Sequence, residues 1–528
     1  MASRLTPFSK FLITALIVGS IGYGLYYLAN KTEFGKQMIQ KAEQGNANSN
    51  SSGDSGQTTS NTNTTANTDP DAIKVGVVTW GGYAGGQYFN EGFAASESSR
   101  FFKDYNIKVD FKVLDDFNAS REAFKADQVN LLWATIDALP TEIANLKEFN
   151  PQVLFQADWS RGGDAIVVQR GINKVADLKG KKVAVALMTP SHSFLLWLLE
   201  ASGMSPKDIQ IVEAPNAIDA AAYFKANKVD AAVVWSPDDD DCVKSVAGAK
   251  ILKSTKAASN IIADVFIAKK SYIDANKDKL KGLVEGWMRG AAEINSSDAN
   301  KRKAAKILSG GLNMPEDYCY NAINNVRLCT AGDNANFFNL SGNYPGVKGE
   351  DIYGRMTQVY GELGYADIPK VPSWRMVANS SILRSINLTG KEHDGEGTTQ
   401  FTPVTEEMKT EEAFSTKNIT INFATASSTL EDNAKRIIDL EFTPIAKSFA
   451  NARVRIEGNS DSQGDPAKNK ALSLKRAEAV KNYLVEQYKM DADRFVVVGN
   501  GSDKPVADNA SPEGRAKNRR TDFSLLNE

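Results

Sequence analysis

IEGNSDSQG occupies residues 456–464, and the run behind it, NKALSLKRAEAVKNYL at 469–484, is where the architecture of this chain becomes readable. Leu472, Arg476, Val480 and Leu484 recur at every fourth position, which on a helix makes one slowly drifting stripe. Three of the four are aliphatic and belong against a core, so Arg476 is expected on the side turned away from water. A guanidinium placed there needs an anionic partner, because an unpaired buried charge costs several kcal/mol. The loop between strand and helix supplies Asp461, fifteen residues upstream. Two readings stay open. The pair is an internal brace for the loop, or a cation and a carboxylate share a cleft that suits a zwitterion such as the free end of an amino acid.

Downstream, EGRAKNRR at 513–520 precedes a last apolar strand. With the 469–484 run it makes residues 414–526 resemble the OmpA-like peptidoglycan-binding domain of outer-membrane proteins, Pal lipoproteins and MotB stators. The resemblance implies an α+β domain over 414–528. It also implies that Asp461 and Arg476 clamp the ammonium and carboxylate of diaminopimelate in the stem peptide, with Phe423, Asn469 and Arg519 completing the peptidoglycan site. That family usually reads Gly-His-Thr-Asp where this chain has Gly458, Asn459, Ser460 and Asp461. Asn459 and Ser460 keep hydrogen-bonding capacity, so affinity is expected to be tuned rather than lost.

At the other end, FLITALIVGSIGYGLYYL at 11–28 carries no charge. At 1.5 Å per residue it spans ~27 Å, enough for a bilayer core. Tyr23, Tyr26 and Tyr27 stand where an interfacial aromatic belt would. The expectation is a cytoplasmic tail at 1–10, a transmembrane signal anchor at 11–29 and a flexible polar linker at 30–71. A cleaved signal peptide is the competing reading, but bulky tyrosines occupy the place of a small-x-small cleavage site. Flanking charge is indecisive, with Arg4 and Lys10 before the span and Lys31, Lys36 and Lys41 after it. The wall-binding resemblance sets the orientation: inner membrane, single pass, with the bulk in the periplasm of a Gram-negative bacterium. Ala15/Gly19 and Ser20/Gly24 have the small-xxx-small spacing that suits helix packing, hence a homodimer. No ionisable group lies in the span, which argues against ion conduction by this chain alone.

A length of 528 residues suggests two or three domains, and a net charge of -2 with 24% charged residues gives no sign of a nucleic-acid partner. Two histidines, His192 and His393, argue against a metal centre or a Ser-His-Asp hydrolase. No cofactor is expected. Cys319 and Cys329 could pair in an oxidising compartment and leave Cys242 odd, or all three could be buried thiols. Residues 44–70 hold no aromatic residue and no aliphatic larger than Ala, so they cannot bury a core. As a tether they have a relaxed span of ~30 Å and a taut reach of ~90 Å. A second polar, turn-rich linker is expected at 380–413.

Between these ends the chain reads as α/β. Short apolar runs at 73–80, 109–114, 131–134, 183–187 and 231–235 are each followed by polar or small residues and a helical stretch. The pattern predicts βαβ units and largely parallel sheets, with ligands gathering beyond the strands' carboxyl ends. Those ends carry Trp80, Gly82, Tyr83, Thr135, Asp137, Thr189, Ser191, His192, Trp235 and Pro237, which are the candidate cleft positions. Thr189 before Pro190 reads as a helix N-terminus, either an anion site or an ordinary turn. The tryptophans at strand ends read as pocket walls more readily than as core. Residues 238–241, four aspartates in a row, read as a solvated loop rather than a cation site.

VADLKGKKVAV at 175–185, Thr189-x-Ser-His192, KVDAAVVWSP at 228–237 and NANFF at 334–338 together resemble periplasmic substrate-binding proteins of ABC importers, of the nitrate, sulfonate, taurine and thiamine-precursor type. That implies a two-lobed fold over 72–379, with one lobe inserted at about 163–259, closing on a small and, by the helix terminus, anionic ligand. The combined reading is a non-enzymatic envelope protein that joins peptidoglycan to a solute-binding module as sensor or scaffold. The alternatives are an importer's receptor, or a MotB-like structural subunit with a multi-span membrane partner.

Overall fold

The computed structural model describes residues 69–397, 399–424 and 426–526. The expected membrane helix at 11–29 and most of the tether lie outside them. No helix among the described residues is long and apolar enough to cross a membrane.

The chain builds β1 (Ile73–Val77), β2 (Val109–Val113), β3 (Leu131–Thr135) and β4 (Pro151–Ser160), then leaves for a second sheet. There it forms β5 (Asp164–Val168), β6 (Lys182–Val185), β7 (Gln210–Glu213), β8 (Ala231–Trp235) and β9 (Lys250–Ser254), and it returns as β10 (Ala263–Lys269) and β11 (Val326–Leu328). The first sheet has the order β11-β4-β10-β3-β1-β2 and the second β7-β6-β8-β5-β9. The two share a plan. β1 is parallel to both β2 and β3, as β6 is to β7 and β8, while β10 and β5 enter antiparallel.

The expectation of largely parallel sheets is therefore corrected. A parallel neighbour needs a crossover helix, and a strand arriving from the other sheet does not. The strands flanking the two crossings, β4 to β5 and β9 to β10, pair antiparallel for that reason. Residues 238–241 are also corrected: they open the helix Asp238–Ser245 instead of lying in a loop, and four carboxylates in a first turn suit the helix dipole. Cys242, Cys319 and Cys329 are all buried free thiols.

The C-terminal module has β12 (Ser415–Ile419), β13 (Arg453–Asn459), β14 (Phe495–Gly501) and β15 (Thr521–Leu526) in the order β12-β15-β13-β14. β13 and β14 are parallel and joined through the helix Pro466–Tyr488. Asp465 caps that helix by accepting from the Lys468 N–H at 2.8 Å, with Pro466 in its first turn. Its buried face is Ser473, Ala477, Val480 and Leu484. That corrects the every-fourth-residue stripe. Each step of four overshoots a turn by about 40°, so Arg476 lies about 70° and Leu472 about 110° from the centre of the buried face. Gly458 lets this helix lie close to β13, since a Cβ there would stand 2.1 Å from the Ser473 carbonyl oxygen.

The expected 380–413 linker runs as a strap over both modules. The Thr330 hydroxyl donates to the Asp394 carbonyl at 2.9 Å, and Arg453 and Arg455 on the polar face of β13 donate to the carbonyls of Thr402 (2.9 Å) and Glu411 (2.6 Å). Direct contacts follow. The Val175 N–H donates to the Phe414 carbonyl at 3.0 Å, and the Asn260 N–H to the Ser448 carbonyl at 3.0 Å.

Candidate functional site

The end of β13, the start of the 466–488 helix, the 420–426 loop and the helix Pro512–Asn518 enclose a cavity of about 320 Å³. Phe423, Asp461, Asn469, Arg476 and Arg519 all line it. Asp461 accepts from Arg519 Nη1 at 2.6 Å and from the Gln463 N–H at 3.0 Å. Arg476 forms no ion pair among the described residues, and the brace with Asp461, one of the two readings left open, is absent. Its Nε donates to the Ser427 carbonyl at 3.0 Å and its Nη2 to the Ala424 carbonyl at 3.4 Å, with the guanidinium 4.9 Å from the Phe423 ring centre. The 70° offset explains this, because the side chain leaves the core and reaches the 420–427 loop. Burial, and then the Arg519 charge, pull the Arg476 pKa below its usual value. A carboxylate in the cavity would relieve that.

Asn469 holds the loop by donating to the Gln463 carbonyl at 2.7 Å. Asn459, one of the departures from the family pattern, is buried with its amide committed elsewhere. It donates to Asp522 Oδ2 at 3.0 Å and accepts from Asn500 Nδ2 at 3.0 Å.

Between the lobes, Trp80, Tyr83, Trp133, Thr135 and Trp235 wall a cavity of about 20 Å³, room for one water-sized group. An adjoining groove of about 580 Å³ shares Trp133 and Thr135 and reaches Thr189. Gly82, Asp137, Ser191, His192 and Pro237 line neither space. Gly82 makes room for a carboxylate, since a Cβ there would fall 1.2 Å from Asp158 Oδ2. His192 turns into the protein, its ring 5.4 Å from that of Tyr360 and 5.2 Å from that of Tyr365. Burial lowers its pKa to about 4, so it is a neutral packing residue at ordinary pH. An imidazole on an apolar helix face is best buried without charge, which is why it leaves the cleft.

Three carboxylates at this cleft escaped the sequence reading: Asp158, Asp164 and Asp264. Each is one acid within an apolar β-run (Ala157-Asp158-Trp159, Gly163-Asp164-Ala165, Ala263-Asp264-Val265), and that interruption was the available signal. Trp80 Nε1 donates to Asp158 at 2.8 Å, the Tyr83 hydroxyl to Asp264 at 2.5 Å, and the Ser160 hydroxyl to Asp164 at 2.8 Å. Burial pushes Asp137, Asp158 and Asp164 up to about 7. Burial and the neighbouring Asp158 hold Asp264 well above the usual carboxylate range.

Residues 422–519 match the OmpA family, and residues 92–297 match the family described as NMT1/THI5 like. The chain carries one domain of each. Outer membrane protein Omp38 of Acinetobacter baumannii is 38% identical over 119 residues, 22% of this chain and 33% of that protein. The chain thus spans about a third of the length of this OmpA-type relative. The taurine-binding periplasmic protein of Escherichia coli is 25% identical over 195 residues, 36% of this chain and 59% of its own. The crystal structure of the periplasmic aliphatic sulphonate binding protein SsuA from Escherichia coli aligns at 18% identity and a TM-score of 0.47, over 64% of this chain and 97% of that one.

Proposed function

We propose that this chain is a non-enzymatic envelope protein. In this reading its OmpA family domain holds peptidoglycan through Asp461 and Arg476, and its NMT1/THI5-like domain binds a small solute between two lobes. The observation that carries the reading is that Asp461 and Arg476 line one cavity without being spent on each other. A brace for the loop would pair them. Left apart, they offer a carboxylate and a guanidinium to a ligand that has an ammonium and a carboxylate of its own.

The apolar span at 11–29 would anchor the chain in the inner membrane, with the bulk in the periplasm. The strap and the Asn260–Ser448 bond at the crossing between the lobes support a sensor or scaffold role, because lobe movement would be felt where the wall-binding domain docks. Sedimentation of the full-length chain with purified peptidoglycan sacculi tests the tether. Retention is expected, and a chain that stays in the supernatant would end the proposal. Calorimetry against a broad metabolite panel tests the solute module, where binding of at least one small molecule is expected and silence throughout would remove that half of the reading.

A further inference from the structure

The cleft between the lobes gathers acid where the helix terminus at Thr189 suggested a site for an anion. Asp137, Asp158, Asp164 and Asp264 are all buried. None forms an ion pair with Lys or Arg among the described residues, although buried charges are ordinarily paired. The two lobes contribute matching acid–aromatic edges. On β5 and β8, Asp164 stands directly opposite Trp235. On β10 and β3, Asp264 stands opposite Thr135, with Phe266 opposite Trp133 two residues along. Asp164 and Asp264 reach the small cavity together with the rings of Trp80, Tyr83, Trp133 and Trp235.

One acceptor in this cage is unused: Asp164 is 2% exposed, its Oδ2 takes the Ser160 hydroxyl, and its Oδ1 has no partner. Trp133 Nε1, also buried, is an unused donor. The adjoining groove continues the sign, with five carboxylates against Arg121 and Lys125, and Arg121 is itself taken by Glu142 at 2.7 Å.

We propose that this cleft binds a small primary amine in its ammonium form, the –NH3+ head held in the aromatic cage against Asp164 and Asp264 and the remainder lying in the groove. The inference rests on the solute-binding reading and names its ligand class. Aromatic faces and carboxylates attract the same charge. The cage holds one water-sized group, which fits a primary ammonium and is too small for a trimethylated one. An –NH3+ head brings three donors to a site with an unused acceptor, and a hydroxyl or carbonyl oxygen on the ligand would satisfy Trp133 Nε1. No three of these acids converge closely enough to hold a metal ion among the described residues. The high pKa values of these carboxyls agree with a site whose cation is not yet bound.

The test is calorimetry on the full-length chain with two sets of probes. The amines are ethanolamine, putrescine and agmatine. The anions are isethionate, glycolate and nitrate. Binding of at least one amine and of no anion is the expected result. Anion binding without amine binding, or silence from both sets, would overturn the ligand class, while the solute-binding reading falls only with silence across the broad metabolite panel. Ethanolamine and isethionate share a hydroxyethyl body and differ in the sign of the head, so shape cannot explain a preference between them. Asp164→Asn keeps the shape of the side chain and should weaken the amine that binds at least tenfold. Should that variant not fold, Trp235→Leu, at a half-buried ring, is expected to weaken it severalfold. Undiminished affinity in the folded variant would overturn the assignment.

Discussion

Two cavities of this protein, one in the C-terminal module and one between the lobes, are built with opposite charge. In the OmpA family domain, three arginines and one aspartate face a cavity of about 320 Å³; Arg476 bonds loop carbonyls, Arg519 bonds Asp461 and Arg520 bonds Asp522. In the cleft between the lobes, Asp164 and Asp264 line a cavity of about 20 Å³ under aromatic walls, and neither has a Lys or Arg partner among the described residues. In the first site Asp461 is paired with Arg519, while Arg476 has carbonyl partners but no carboxylate. The second carries a desolvation cost that a proton or a ligand of positive charge would offset. The contrast shows that a charge in a cavity is informative when its partner is missing, and that the missing partner's sign can be read from those that remain.

The contrast breaks most visibly at Arg476. Arg476→Glu places a second anion beside Asp461, and retention on sacculi should fall about a hundredfold, or ~2.8 kcal/mol. Unchanged sedimentation would show that the cavity is not the wall site. Gly458→Ala comes next. Its Cβ would stand 2.1 Å from the Ser473 carbonyl oxygen, so the helix must move off β13 at a cost of about 1–3 kcal/mol, read as a lower unfolding midpoint of the full-length chain.

The acid cleft has its own signature in pH. Asp137, Asp158 and Asp164 titrate near 7 in the fold against about 4 in an unfolded chain. Between those values the folded state binds more protons, so these groups make stability fall as pH rises from about 4 to 7 and level off above 7. Asp137, Asp158 and Asp239 add charge of the same sign around Asp164, while Arg161 opposes it at Asp158 and Arg121 at Tyr83. Asp164→Asn should flatten that slope in a series of melts across pH, and an unaltered slope would mean the carboxyl is not held up by burial. The smallest effect is expected at Arg519. It is half exposed, and its bond to Asp461 is a surface one worth ~0.2–1 kcal/mol. Arg519→Ala should reduce sacculus retention only severalfold, clearly less than Arg476→Ala does in the same assay.

Local rules made much of this molecule legible. The helical reading of 469–484 falls within the helix Pro466–Tyr488, and the apolar runs beginning at 73, 109, 131, 183 and 231 are strands. Trp80, Tyr83, Thr135 and Trp235, picked out as strand ends, do meet in one cavity. These features depend on neighbours a few residues away, so spacing and residue type sufficed. Tertiary structure alone decided that Arg476 bonds Ser427 and Ala424 instead of Asp461, that His192 turns inward to Tyr360 and Tyr365, and that each sheet is parallel over part of its width. It alone also brought Asp158, Asp164 and Asp264 together from strands far apart in the chain. The reason is physical. Burial of a charge and the identity of its partner depend on contacts between distant segments, and a single carboxylate in an apolar run carries no mark of which others it will face.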